Sequence, residues 1–455
     1  MGERESERAR ERYVKEEEGK EEEEVQKERN ESMSSVVAET VVAGGDGDGS
    51  PNNNSGAMPS PNHQQSEEGL DMSCYAPIRV LSSADAYDAL HAKLPYTARN
   101  DHYAMYSPVY GGIVTDPALM VVPLDDHMVN RGHAVFDTCN VMKGKAYGLD
   151  FHLERLCRSA RQARIDYEPY YSVEKMRWIV LSTIAASGKR EGVLVRMWLT
   201  AGRGNFSITP SKCPVGASFY VVVHEYQPKA ELLERGIKEV TVPSIAMKCP
   251  LLATMKSNNY LINALCAMEA EDRGGHLGIQ FDENGNVGEF SIGSLAIVDS
   301  DNVLRTPTLR RILRSTTLIR ASELAPQLVE DGVIKSFEFC ELKPQDLCNA
   351  KEIMDLGGGG VVPIVELDGV PVGNGRVGPV VKALAAVLRA DMLSGEFLDD
   401  VPYDSIMRHP GGVSKGLARF LSKNSLFFSA MIHCVAAYAA YRVFAAKSTN
   451  HHQQR

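Results

Sequence analysis

The sequence predicts a mixed α+β protein whose body, from about Tyr75 to Tyr403, divides near residue 230 into two halves. Three observations carry this reading. Strand-like and helix-like runs alternate through the body. Composition changes abruptly at both of its ends. In the second half a lysine, an acid and a hydroxyl-rich helix start follow one another, each at the edge of an element.

The first element is a tail. Residues 1–70 open with MGERESERARERYVKEEEGKEEEEVQKERN and continue into Gly, Asn, Ser and Pro. With almost no aromatics to bury, this stretch does not recover the entropy of ordering, so a disordered charged tail without catalytic residues is expected. Gly2 and Ser6 satisfy the loose N-myristoylation pattern, although a glutamate follows the glycine. The start is too acidic for a transit peptide and lacks the apolar core of a secretory signal, which makes the cytoplasm the expected address.

In the first half, YAMYSPVYGGIV and CNVMKGKAYGL read as strands around Gly turns. FHLERLCRSARQARI then sets Leu153, Leu156, Cys157 and Ala160 at helical spacing. GVLVRMWLTAG and ASFYVVVHEY are two further β-rich runs, and QPKAELLERG connects them to the second half.

The second half begins IKEVTVPSIAMKCPLLATMKSNNYLINALCAMEAEDRGG. Strand-like residues lead to Lys256, after which Leu261, Ala264, Leu265 and Met268 form the apolar stripe of a helix ending near Gly274. The positive end of a helix dipole disfavours an ammonium, so a lysine at this junction is either accidental or used. Held among packed neighbours it loses its proton readily, and a free amine condenses with an aldehyde. On spacing alone, a solvated lysine is the commoner case.

GIQFDENGNVGEFSIGSLAIVDSDNVLRTP then gives a strand, a turn at Asn284 and Gly285, and Glu289 ahead of another strand-like run. RRILRSTTLIRASELA places Ser315, Thr316 and Thr317 where a helix begins. Hydroxyls and N–H groups at a helix N-terminus suit a phosphate, though the same residues also serve as an ordinary cap, and a lone glutamate is usually a surface acid.

After the body, residues 404–455 form an extension. Its run LFFSAMIHCVAAYAAYRVFAA, 426–446, is about the length of a membrane span but contains His433 and Arg442, and its uncharged part from Leu426 to Tyr441 falls short of one. Its three readings are a tail anchor, an amphipathic helix packed on the body, and an extension irrelevant to the chemistry.

Composition narrows the function classes. At 455 residues and 44% apolar the chain has ample core for two or three domains. Its nine cysteines are scattered without a CxxC pair, which excludes a zinc ribbon or a disulfide framework and fits a reducing compartment. A net charge of -10 argues against nucleic acid as the partner and for small molecules.

Taken in order, these runs resemble the class IV, fold type IV pyridoxal-phosphate enzymes, which include the D-amino-acid and branched-chain aminotransferases and aminodeoxychorismate lyase. The likeness is strongest to plant D-amino-acid-aminotransferase-like proteins and spans nearly all of residues 75–403. Its carriers are YGGIVTDPALMVVPLDDHMVNRGHAVFDT, LDFHLERLCRSARQARI, TMKSNNYLINALCAMEAE, GNVGEFSIGSLAIV and LRSTTLIRASELA.

The resemblance implies a small N-terminal α/β domain over 75–230, a larger β-barrel-like domain over 231–403 that carries the lysine, a homodimer, and pyridoxal 5'-phosphate as cofactor. It makes Lys256 the residue that bonds the cofactor and shuttles the substrate proton, and sets Glu289 against the pyridine nitrogen. Arg155, with Thr316 and Thr317, matches the phosphate site, and Tyr260 a contact to the cofactor oxygen. On spacing alone Arg155 joins Arg158, Arg161 and Arg164 on one solvated basic face. Arg196 and Phe136 match the substrate pocket, and Gly358 and Gly359, within Gly357–Gly360, match a turn whose amides approach substrate.

Four departures stand out. Bacterial D-amino-acid enzymes carry a tyrosine in place of Phe136 and an arginine in place of Ala201; many relatives have Asn in place of Ser294 and a small residue in place of Phe290. The implied reaction is transamination between an amino acid and a 2-oxo acid, with D-alanine and 2-oxoglutarate first and branched-chain L-amino acids second. The alternatives are a lyase that yields 4-aminobenzoate and pyruvate from 4-amino-4-deoxychorismate, and a non-catalytic docking protein on the same fold. Plant relatives are often plastid proteins, which sets a plastid or membrane-tethered form beside the cytoplasmic reading.

Overall fold

The computed structural model describes residues 79–93, 101–227 and 230–405. The 1–70 tail with its Gly2 pattern, the 426–446 run and nearly all of the 404–455 extension lie outside the described residues.

Sixteen strands and five main helices build the described body. The strands are β1 (His102–Ser107), β2 (Gly112–Val114), β3 (Ala134–Met142), β4 (Lys145–Tyr147), β5 (Val193–Thr200), β6 (Ser218–Glu225), β7 (Ile237–Glu239) and β8 (Ile279–Phe281). They continue as β9 (Val287–Phe290), β10 (Ser294–Val298), β11 (Val303–Thr306), β12 (Ser336–Phe339), β13 (Glu352–Gly357), β14 (Gly360–Leu367), β15 (Val370–Pro371) and β16 (Leu398–Asp400). The helices are α1 (Leu149–Gln162), α2 (Val173–Ser187), α3 (Leu261–Asp272), α4 (Thr316–Glu330) and α5 (Pro379–Ser394).

The first sheet runs β16-β4-β3-β5-β6-β1-β2, with every neighbouring pair antiparallel. The β3–β4 hairpin turns on Lys143 and Gly144, both at positive φ, the backbone that a two-residue loop demands. Period-two alternation divides β3 and β5 between two faces. Val135, Cys139, Val141, Val195 and Met197 pack against Leu149, Leu153 and Leu156 of α1 and Met176 and Ile184 of α2. Phe136, Thr138, Asn140 and Arg196 point the other way, away from the helices.

The second sheet runs β12-β11-β10-β13-β14-β15, with β7 also paired to β14. Leu318, Ala321 and Ala325 of α4 and Leu384 and Leu388 of α5 cover one face over Ala296, Val298, Met354 and Leu356. Ile279, Phe290, Leu295, Ile297, Ile353 and Ile364 fill the opposite face. The expectation of a barrel-like shape meets an open sheet here: no pairing joins β12 to β15 among the described residues. Phe290, one of the departures, is fully buried in that second layer, where its ring adds to the core.

The expected α3 exists, but its stripe faces outward. Leu261, Leu265 and Met268 are 73%, 44% and 59% exposed, whereas Asn263, Cys266 and Ala270 face the protein. Lys256 also differs from expectation. A short helix, Pro250–Ala253, leads into it instead of a strand, and α3 starts five residues later at Leu261. Its segment is tied across to β3 and to α1: Phe136 N–H donates to the Lys256 carbonyl at 2.8 Å, Asn258 N–H to the Ala134 carbonyl at 2.9 Å, and Lys256 N–H to Ser159 Oγ of α1 at 3.2 Å. Backbone held at three points in this way sends the lysine side chain in a fixed direction.

Candidate active site

A cavity of about 400 Å³ opens where the outward face of β3 and β5 meets β9, the start of α4 and the β13–β14 turn. Phe136, Arg155, Arg196, Lys256, Tyr260, Glu289, Thr316, Thr317, Gly358 and Gly359 all line it. Residues read from seven separate stretches of sequence thus share one site.

At one end of the cavity stands Arg155. Of the four arginines spaced along this stretch it is the buried one; Arg161 and Arg164 are exposed and Arg158 is half-buried. Its Nε and Nη2 donate to the two carboxylate oxygens of Asp137, both at 2.8 Å, and His152 Nδ1 shares a hydrogen bond with the same carboxylate at 2.7 Å. Burial alone would raise the Asp137 carboxyl, but Arg155 and His152 overcome it and hold the group well below the usual carboxylate range. Arg155 Nη1 reaches the Arg314 carbonyl at 3.3 Å, just before the Ser315 cap of α4. A guanidinium fork and a helix N-terminus therefore meet, an arrangement suited to a phosphate dianion.

Thr317 is also committed within the protein. Its Oγ1 accepts the Gly359 N–H at 2.8 Å, while Asn140 Nδ2 donates to the Gly358 carbonyl at 3.0 Å. The glycine turn is thereby pinned to α4 on one side and to β3 on the other. Gly358 and Gly359 sit at φ +58° and +79°, where a Cβ is strained, which accounts for glycine at both.

At the opposite end stand Lys256, Glu289, Tyr260 and Lys248. The Lys256 ammonium lies 4.8 Å from the Phe136 ring centre, and Phe136 meets Tyr260 edge-on at 5.2 Å. Burial, and then the charge of Arg155, push the Lys256 ammonium down to about 8. Glu289, on β9, is buried, and among the described residues its carboxylate accepts one hydrogen bond, from Leu313 N–H at 3.2 Å. Burial pushes its carboxyl up to about 7 against the opposing pull of Lys248, that N–H and Lys256. Tyr260 is likewise shifted upward, by burial and by Glu289.

Arg196 faces the cavity from β5. Its Nε donates to Thr138 Oγ1 at 3.3 Å and its guanidinium lies 5.6 Å from the Phe136 ring centre, with no acidic partner among the described residues. Ser294 is buried at the start of β10 and also lines the cavity.

Asp137, His152 and Lys248 were missed by the sequence reading. Asp137 had a signal, since an acid on the core-facing register of β3, between Val135 and Cys139, must be buried and paired. Lys248 had none, because it lies in an irregular stretch ahead of the Pro250–Ala253 helix.

A cavity with a phosphate grip at one end, a deprotonatable lysine and the buried acid Glu289 matches the three needs of pyridoxal phosphate: its 5'-phosphate, its aldehyde and its pyridine nitrogen. The residues present fit the group. Residues 134–367 match the family Amino-transferase class IV. The chain belongs to that family and is a pyridoxal-phosphate-dependent aminotransferase. It is 40% identical over 294 residues to the D-amino-acid transaminase, chloroplastic, of Arabidopsis thaliana, covering 64% of this chain and 77% of that one. To the D-alanine aminotransferase of Bacillus licheniformis it is 23% identical over 293 residues, 63% of this chain and 97% of that one. The fold superposes on the branched-chain aminotransferase of the archaeon Thermoproteus uzoniensis, solved with norvaline, with a TM-score of 0.58 at 24% identity, over 66% of this chain and 99% of that one. The lyase and docking readings are not favoured by these matches.

Proposed function

We propose that this aminotransferase moves the amino group of a D-amino acid, D-alanine first, to 2-oxoglutarate, with Lys256 as its catalytic amine. The observation that carries the reading is the convergence of Lys256, Glu289 and the Arg155–α4 phosphate grip on one cavity. When bound, pyridoxal phosphate supplies the electron sink for the negative charge that develops at the substrate α-carbon. The chain's part is to place and move protons around it. Lys256 Nζ would take the proton from the substrate α-carbon and hold it for return to a cofactor carbon, a task suited to an amine lowered to about 8. Glu289 accepts the pyridine N–H, Tyr260 contacts the ring oxygen, and Arg155 with Thr316 and Thr317 grips the phosphate.

For the substrate, an arginine without an acidic partner favours Arg196 as the carboxylate ligand. Phe136 and Tyr260 wall the side chain, and the turn offers the Gly358 N–H, the Gly359 N–H being held by Thr317 Oγ1. The name of the Arabidopsis relative supports a D-amino acid. The name of a Methanocaldococcus jannaschii relative, 29% identical over 271 residues, keeps branched-chain substrates as the second reading, and the aromatic Phe136–Tyr260 wall favours it.

The test supplies purified enzyme and cofactor with D-alanine or L-leucine, each with 2-oxoglutarate. Pyruvate formed from D-alanine, with parallel-line two-substrate kinetics, is the expected result. Turnover of L-leucine without D-alanine turnover would overturn the D-amino-acid assignment, and pyruvate released from 4-amino-4-deoxychorismate without an acceptor would revive the lyase.

Assembly and address belong to the same proposal. The body works as two domains divided near residue 230. Two copies pair through the outward stripe of α3, since Leu261, Leu265 and Met268 leave more apolar surface in water than a monomer helix normally does. No helix of the described residues is long and apolar enough to cross a membrane. The name of the chloroplastic relative supports a plastid address, which a fluorescent fusion of the chain tests against a cytoplasmic one.

A further inference from the structure

Lys248 is not used by the assignment above, yet it lines the same cavity as Glu289. Its side chain is 6% exposed and its ammonium lies 4.6 Å from the Tyr260 ring centre. It has no hydrogen bond or ion pair among the described residues; Glu289 is the one charge that bears on it. A buried ammonium without a hydrogen bond is costly and must be offset elsewhere in the site.

We propose that Lys248 is a positioning residue for the proton on Glu289: its ammonium keeps that carboxylate anionic, so that Glu289 accepts the pyridine N–H of bound pyridoxal phosphate instead of carrying the proton itself. The inference rests on the assignment of Glu289 to the pyridine nitrogen.

The surroundings make such a cation necessary. Glu289 sits with one backbone N–H donor in a buried strand, and the neighbouring Asp355 is a second buried acid whose Oδ1 has no hydrogen-bond partner. Burial, then Glu239 and Glu289, push the Asp355 carboxyl up to about 7. Acids crowded in this way favour the protonated form. Against them stand Lys248, whose charge is the first to draw Glu289 down, and Lys256. Lys256 gives up its charge in doing its own chemistry, and Arg155 is committed to Asp137. Lys248 is the cation left to Glu289 throughout.

The test reads the proton directly, by 15N NMR of enzyme loaded with pyridine-15N pyridoxal phosphate in wild type, Lys248→Met, Lys248→Arg and Glu289→Gln. Wild type and Lys248→Arg are expected to show a protonated pyridine at neutral pH, and Lys248→Met a signal moved toward the unprotonated position. A Lys248→Met signal equal to wild type, with Glu289→Gln shifted, overturns the role of Lys248 and leaves Glu289 in place. An unshifted Glu289→Gln removes the assignment on which the inference rests. Should Lys248→Met fail to fold, Lys248→Gln carries the same expectation, and an unchanged signal in it overturns the proposal equally.

Discussion

The two ends of the cavity are built on opposite principles. At the phosphate end every charge is answered from within: Arg155 is forked onto Asp137, His152 shares that carboxylate, and Thr317 holds the glycine turn. At the ring end the groups are left wanting. Lys256 and Lys248 are pushed below the ordinary ammonium range and Glu289 above the ordinary carboxylate range, with few hydrogen bonds among them. Binding needs a rigid, fully paired grip, and proton transfer needs groups poised near neutrality; one cavity keeps the two apart.

The comparison breaks first at Lys256. Lys256→Ala is expected to lower turnover by about 10⁴-fold while leaving the fold intact, because it removes the proton carrier without disturbing the phosphate grip. Steady-state assays beside a thermal melt check both halves of that statement.

Asp137→Ala should do the reverse. It leaves Arg155 buried and unanswered, a loss of about 3–5 kcal/mol in stability, read by denaturant unfolding of the cofactor-free protein. The sign of its pH dependence follows from a carboxyl held low in the fold: the stabilisation is full above the unfolded carboxylate range and drains away as pH falls below it.

Glu289→Gln sharpens the contrast, since the amide keeps the shape and loses the charge. A drop in kcat of about 10²-fold is expected. In the cofactor-free protein the same variant should become the more stable one at high pH. The wild-type carboxyl is raised to about 7, so its contribution is best below its unfolded value and is lost as pH climbs through 7. Melting curves at pH 5 and pH 8 should show the gap opening in favour of the variant, by roughly 3 kcal/mol at most.

The smallest effect lies outside the cavity. Leu265→Glu on α3 should change the stability of the separate chain by no more than about 0.5 kcal/mol, yet shift sedimentation from dimer to monomer.

How much of this was legible in the sequence follows the same division. Lys256, Glu289 and the Ser315–Thr317 cap could be read because they stand in runs that resemble a known family; local spacing alone favoured a solvated lysine, a surface acid and an ordinary cap. The choice of Arg155 among four arginines depended on burial against β3, which spacing alone does not reveal. Asp137 was readable in principle from its strand register. Lys248 was not, since it reaches the site along an irregular path. The stripe of α3 showed its helical period but not its direction, because an apolar face looks the same whether it meets the core or a second chain. The ties from Lys256 to Phe136 and Ser159, and from Asn258 to Ala134, link residues about a hundred positions or more apart, and no local pattern encodes them.

The central claim is that Lys256, and not its cavity neighbour Lys248, bonds the cofactor. The direct test is borohydride reduction of the enzyme loaded with pyridoxal phosphate, followed by peptide mass mapping of the phosphopyridoxyl group. The account predicts the label on Lys256, absent from Lys256→Ala and retained in Lys248→Met. A label on Lys248, or no label in wild type, would contradict it.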